Sequence, residues 1–117
     1  MSIKTIFSGN VKRYDGTVEK FNHRFSSETT EAEGIAGRIT IATASRDLSI
    51  FPVGLIKATS VFLETDNKIR ISCYGDVNAS IDVFAGGIFA VNGSISDIRL
   101  YNTSATNTCN IDYLITG

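Results

Sequence analysis

The sequence predicts an all-β protein: a single-domain antiparallel β-sandwich over residues 1–117, with a jelly roll as the expected topology. Short runs alternate apolar and polar residues, which is the two-residue period of half-buried strands. Turn residues separate these runs: the chain has ten glycines and one proline, and Asp15-Gly16 and Asn92-Gly93 are dipeptides typical of hairpin turns. No run has the length and period of a helix longer than two turns.

The N-terminal part, residues 1–25, is predicted to form a β-hairpin. Asp15-Gly16 supplies its turn, and Phe21 and Phe25 share one face of the returning strand because alternate residues of a strand point the same way. Residues 26–37 read SSETTEAEGIAG, lack long apolar alternation and carry three glutamates. We expect an acidic loop there, with an ordered arm that grips a neighbouring subunit as the alternative.

Short strands are predicted along the rest of the chain. In most of them the apolar set occupies alternate positions, as Ile69 and Ile71 do against Lys68 and Arg70. Pro52 ends one of them, because proline cannot donate to a β-ladder. The expected ranges are 38–43, 48–50, 59–65, 68–74, 80–84, 88–91, 94–101 and 108–115.

Two features mark the stretch around Asn92-Gly93. This dipeptide predicts a hairpin turn after the apolar strand from Ile88 to Val91. In the following strand the apolar residues Ile95 and Ile98 are three positions apart. In a regular strand this odd spacing would place them on opposite faces, so that one of them would point outward. We therefore predict a β-bulge at Ser96-Asp97 that absorbs the extra residue.

Charge and cysteine content narrow the function classes. The formal net charge is -1, so no strong field attracts the chain to nucleic acid. Residues 1–57 hold eight basic and six acidic side chains, and residues 58–117 hold three basic and six acidic ones. Cys73 and Cys109 match no metal-binding spacing. The opening lacks a signal-peptide core and no run reaches transmembrane length, so we expect synthesis in a cytoplasm, no membrane partner, and reduced, inward thiols.

The sequence contains few residues or motifs that could support catalysis. Its one histidine, His23, lies between two phenylalanines on an apolar face, where packing or an interface is the simpler role. No nucleophile elbow, phosphate loop or dinucleotide motif occurs. Asp82 and Asp112 are expected on outward faces, and no calcium-loop pattern accompanies them. We expect no enzyme activity, no cofactor and no metal.

Asparagine sequons and apolar residues on both strand faces complete the pattern. The sequons at Asn78, Asn92 and Asn102 fit turn chemistry without a secretory signal.

Large apolar residues also stand where their strand neighbours already face inward, and a thin sandwich cannot bury both faces of its sheets. We therefore predict a homo-oligomer, a dimer or trimer, with Ile88, Phe89 and Val91 at the contact. The residues on the second face are Ile6, Val18, Phe51, Phe62, Phe84 and Leu114.

The second half of the chain carries a family resemblance. Its features are a strand ending in Glu-Thr-Asp, an apolar strand after Gly-Gly, the pattern Ile-x-Leu-x-Asn-x-Ser from Ile98 to Ser104, and a terminal alternating strand. This half resembles the end of small tailed-bacteriophage virion structural proteins. The resemblance implies a jelly roll or related sandwich that binds a capsid or a tail.

The expected function is therefore that of a capsid decoration or cement protein, located in the virion and assembled in the host cytoplasm. Its partners would be other copies of itself and the phage major capsid protein or tail proteins. Lys4, Lys12 and Arg13 make the N-terminal segment basic, and we expect them to contact the capsid. A tail or baseplate adaptor or receptor-binding component, and a small carbohydrate-binding module, are the alternatives.

Overall fold

A computed structural model describes residues 3–31, 34–45, 48–76 and 78–117. These residues form nine β-strands, every pairing is antiparallel, and none of them lies in a helix. The predicted all-β, antiparallel class is confirmed. The strands are β1 Ile3–Asp15, β2 Val18–Glu31, β3 Gly34–Ile41, β4 Leu48–Ser49, β5 Ala58–Thr65, β6 Ile69–Gly75, β7 Ala79–Val83, β8 Ile88–Tyr101 and β9 Cys109–Thr116.

The strands divide into two sheets. β1 and β2 pair only with each other, and the other seven form one sheet in the order β3-β9-β5-β8-β6-β7, with β4 also paired to β8. β8 is shared: residues 88–95 pair with β5, and residues 95–101 pair with β6. β8 thus divides the seven-stranded sheet into one half with β5 and one half with β6. The inward faces of these two halves meet in one apolar core, which gives a sandwich-like arrangement. Its jelly-roll topology stays a prediction.

The core consists of the alternating apolar positions that the sequence pattern indicates. Cys73 and Cys109 are buried and free, which confirms their predicted inward positions. The Thr65 hydroxyl lies 2.8 Å from the Cys109 sulfur. The buried core residues are Ile41, Ala58, Val61, Leu63, Ile69, Ile71, Cys73, Val83, Ile95, Ile98, Leu100, Cys109, Ile111 and Ile115.

Both thiols are expected to resist labelling in the folded protein. Burial shields their sulfur atoms, and it also raises the pKa of the Cys73 thiol, so little reactive thiolate forms there at neutral pH. Mass spectrometry after treatment with an alkylating reagent should show full labelling only after denaturation. Rapid labelling of Cys73 without denaturant would contradict the packing of β6.

The predicted bulge in β8 is confirmed, and the predicted hairpin beside it is wrong. Tyr74 lies opposite Asp97 and Gly75 opposite Ile95, so Ser96 is the extra residue. Asn92 and Gly93 lie inside β8 rather than in a turn. A second irregularity, where β5 shifts register between Ala58 and Ser60, lets the strand bend and continue. Long-range pairing with β5 and β6 has overridden the local turn preference.

The N-terminal hairpin is confirmed and is longer than predicted. Gly16 adopts a left-handed φ of 63° in the two-residue turn, a conformation that glycine accepts at little cost. The predicted acidic loop at 26–37 is wrong. Residues 26–31 continue β2 opposite residues 3–8, and residues 34–37 begin β3 beside β9. The segment meets the sandwich through a polar contact, the hydrogen bond from Asn92 to Ser27, so no apolar alternation marks it and its polar composition concealed the strand; residues 32 and 33 lie outside the described ranges.

Candidate interaction surface

The hairpin projects from the sandwich. All side chains from Ser8 to Ser26 are exposed, and the molecule measures 48 Å along its longest axis against 24 Å along its shortest. A two-stranded hairpin alone is marginally stable in water. We therefore expect the outer part of the hairpin to be stabilised by contact with another surface.

The register divides the hairpin into two unlike faces. Residues directly opposite each other in an antiparallel pair point to the same side, and the pairs include Phe7 with Ser27, Gly9 with Phe25, Val11 with His23 and Arg13 with Phe21. These eight residues, with Thr5, form the ribbon face. The opposite side, the polar face, carries Lys4, Ile6, Ser8, Asn10, Lys12, Asn22, Arg24, Ser26 and Glu28.

The root of the ribbon face packs on the chain's own sandwich. The Phe7 ring lies 6.1 Å from the Phe62 ring, centroid to centroid. The Asn92 side-chain amide donates to the Ser27 hydroxyl at 2.9 Å, and Thr5 is buried. These contacts place the hairpin root on the outward side of β5 and β8.

The outer part of the ribbon face is exposed, and its side chains are apolar except for Arg13 and His23. Val11 is 52% exposed, Phe21 50% and Phe25 43%. The Phe25 ring lies across Gly9, since a Cβ there would come within 2.9 Å of the ring. A glycine opposite an aromatic ring lets that ring cover the neighbouring backbone. The tip therefore presents a broad apolar strip to solvent.

The outward side of β5, β8 and β9, which we call the outer face, is apolar near the hairpin and acidic beyond it. Phe62 pairs with both Leu114 and Ala90, and the next row pairs Glu64 with Asp112 and Ile88. A crevice of about 390 Å³ separates the hairpin root from this face; its lining includes Ile6, Phe7, Phe25, Phe62, Ile88 and Leu114.

Hydrogen bonds order the acidic part of the outer face. Asp66 accepts from the Asn110 backbone N–H at 2.7 Å and from its side-chain amide at 2.8 Å. These two bonds hold the pKa of the Asp66 carboxyl below its ordinary value. The Arg38 Nε lies 3.0 Å from an Asp112 oxygen. Glu64 is exposed beside this pair.

Stability is expected to decline in acid partly through Asp66. Because its pKa is lowered in the folded state, its contribution is complete above the unfolded value of about 4 and is lost as the pH falls through the folded value. Urea midpoints measured from pH 7 down to pH 2 should fall less steeply for Asp66→Asn than for the wild type. Asp76→Asn, on an exposed bend, is the control, and an equal acid slope in Asp66→Asn and wild type would contradict this account.

The structure separates the residues predicted for the oligomer contact. Ile88 is 59% exposed on the outer face, whereas Phe89 and Val91 are partly buried against the core. The strand is apolar at each position because one side meets the core and the other borders the hairpin root. The sequence pattern did not show that the hairpin root lies beside the outward side of this strand.

The predicted basic residues also divide between the faces. Lys4 and Lys12 belong to the polar face, and the Lys4 ammonium lies 3.2 Å from a Glu28 carboxylate oxygen. Arg13 belongs to the ribbon face, opposite Phe21. Arg24, beside Asn10 on the polar face, was missed, because its place next to Lys12 depends on the register of the hairpin.

Other polar residues have structural partners. Asp82 lies 3.0 Å from the Arg70 Nε and 3.9 Å from the Lys68 ammonium. Asn102 is fully buried, so that sequon has no room for a glycan. Among the described residues no histidine, cysteine and carboxylate side chains form a metal-binding group. The same part of the chain has no helix suited in length and apolarity to cross a membrane.

Comparisons of the chain with protein-family models, curated proteins and solved structures found no match.

Proposed function

We propose that this protein is a non-enzymatic structural subunit of a tailed-phage virion, a decoration or cement protein that stabilises the head lattice as a homo-oligomer. The observation that carries the proposal is the projecting hairpin with two unlike faces, one apolar and one polar. The outer part of this hairpin extends beyond its own sandwich and stays exposed, so it does not stabilise that sandwich, and an attachment role explains it best.

The two faces suit two kinds of contact. The apolar strip of the ribbon face suits a neighbouring subunit, since apolar burial dominates stable association. Lys12 and Arg24 on the polar face, with Lys4 nearer the root, suit a capsid surface that carries carboxylates. Several arms on one oligomer engage several capsid subunits at once, so a weak single contact becomes stable attachment through effective concentration.

The test uses expanded heads of the encoding phage from a mutant that lacks this protein. Purified protein is mixed with the heads, the heads are sedimented, and bound protein is quantified. We expect stoichiometric uptake by wild type, and uptake at least about tenfold weaker for Lys12→Glu with Arg24→Glu, because reversed charges repel the surface they faced. Lys57→Glu, an exposed change on the sandwich, is the control.

Two outcomes would overturn the proposal. If heads stay bare while purified tails retain the protein, the chain is a tail or baseplate component. If neither binds but a polysaccharide retains it, the carbohydrate-binding alternative takes its place. Equal uptake by wild type and the double variant would reject the polar face as the capsid contact.

A further inference from the structure

We infer that the exposed part of the ribbon face, centred on Val11, Phe21 and Phe25, docks on the outer face of a second copy of this chain, beside Ile88. This rests on the proposed function, because it names the surfaces that form the proposed homo-oligomer. Three observations support it: the continuity of the ribbon face, the reach of the hairpin, and the match of apolar and charged groups between the two surfaces.

The ribbon face already contacts a surface of this kind at its root. Phe7 packs on Phe62, and Ser27 accepts a hydrogen bond from Asn92. Phe62 and Asn92 lie on the outer face. The same strands carry the apolar strip onward through Val11 and its neighbours without a break in pairing until the shift after Arg13. The tip is therefore a continuation of an interface whose inner part is occupied.

The chain's own outer face reaches this strip only at its root end, where Phe25 lines the crevice with Ile88 and Leu114 and stays 43% exposed. Arg13 follows Phe7 by six residues, and a strand rises about 3.3 Å per residue, so the Phe21 end lies about 20 Å from the Phe62 contact. Val11 and Phe21 are exposed along this length. A surface that covers them would come from another molecule.

The outer face of a second copy offers matching chemistry. Ile88, 59% exposed, and the partly exposed Leu114 provide apolar area for Val11, Phe21 and Phe25. Beyond them lie three carboxylates and one arginine: Glu64, Asp66, Asp112 and Arg38.

The ribbon face carries the opposite charge near its tip. Arg13, opposite Phe21, stands on this face, whereas Lys12 and Arg24 lie on the polar face. Apolar area therefore meets apolar area while Arg13 meets the acidic row. A surface that fits a different region of the same molecule builds a ring when the rotation between copies closes and a filament when it does not, or a reciprocal pair when each copy gives and receives one hairpin.

The first test measures self-association without phage heads. Sedimentation equilibrium of wild type at micromolar concentration should report a dimer or trimer. Phe21→Ser should weaken association at least about tenfold, since a central aromatic anchor commonly dominates an interface. Asn22→Ser, the adjacent residue on the polar face, should leave association unchanged. Circular dichroism melts should be alike for the two variants, because both side chains are exposed and far from the core.

A charge reversal identifies the receiving surface. Arg13→Glu and Glu64→Lys should each weaken association, and the chain with both changes should recover most of it, because the two reversed charges attract again. A monomeric wild type, or full association of Phe21→Ser, would overturn the inference. Additive losses in the double variant would reject the acidic row as the receptor. Head uptake is scored separately with the polar-face variants, so failure here and failure of the proposed function are distinguishable.

Discussion

Replacement of Asn102 by aspartate is expected to lower the free energy of unfolding by about 3–5 kcal/mol, the usual cost of an uncompensated buried charge. The Asn102 side chain is fully buried. Its amide nitrogen donates to the carbonyl oxygens of Ala42 at 3.1 Å, Asn107 at 2.9 Å and Ile41 at 3.4 Å. An aspartate there only accepts when ionised, so its oxygen would face three carbonyl oxygens with no proton between them.

Urea denaturation at pH 7 measures this loss. Asn107→Asp is the matched control: the Asn107 side chain is exposed, and its backbone carbonyl, which accepts from Asn102, is unchanged. We expect that control to stay within about 0.5 kcal/mol of wild type. The deficit of Asn102→Asp against wild type should also shrink toward pH 4, because burial favours the protonated carboxyl. A deficit below about 1 kcal/mol at pH 7 would show that the site admits water.

Gly75→Ala is expected to destabilise the fold by about 3 kcal/mol, at the upper end of the usual cost of overpacking. Gly75 has a φ of 154°, and a Cβ there would come within 2.2 Å of the Ser94 carbonyl oxygen. That carbonyl cannot move freely, because it accepts a hydrogen bond from the Asp76 N–H at 3.1 Å. The clash falls where β6 meets the bulge of β8.

The control for Gly75→Ala is Gly93→Ala in β8. A Cβ at Gly93 meets nothing within 4 Å, so we expect a change within about 0.5 kcal/mol. Thermal unfolding followed by circular dichroism compares both variants with wild type. Equal melting temperatures for Gly75→Ala and Gly93→Ala would mean that β6 and β8 can separate there without cost.

Asn102 also gives a physical reason for part of the Ile-x-Leu-x-Asn-x-Ser pattern. Ile98 and Leu100 are inward core residues of β8, and Asn102 joins the end of that strand to the end of β3. The Ser104 hydroxyl accepts from the backbone N–H groups of Thr106 and Asn107, which shapes the loop before β9. The pattern therefore describes a strand end and its loop.

The local sequence predicted those parts of the fold that depend on burial of one strand face. Ile69, Ile71 and Cys73 are inward because a two-residue period leaves no other way to bury them together. The jump from Ile95 to Ile98 required an extra residue in β8, and the bulge at Ser96 supplies it. Phe21 and Phe25 share one face through the same two-residue alternation, although both are exposed.

The interaction surface depended on information that the local pattern lacks. Ile88, Phe89 and Val91 were grouped as one contact, although only Ile88 faces outward. Strand alternation alone could not show that the hairpin root covers part of the second side. The polar residues 26–31 resemble a loop in sequence because backbone pairing with residues 3–8 holds them in a strand, and such pairing does not require apolar side chains.

By itself, the sequence determined the strand class, the inward residues and the hairpin turn at Gly16, because each follows from periodicity or from the backbone freedom of one residue. Tertiary structure alone decided that Asn92-Gly93 lies within a strand and where the hairpin is positioned. In both cases the outcome depends on contacts between distant segments: β5 and β6 hold β8 extended through a favourable turn dipeptide, and Phe7 packs on Phe62 at the root of the hairpin.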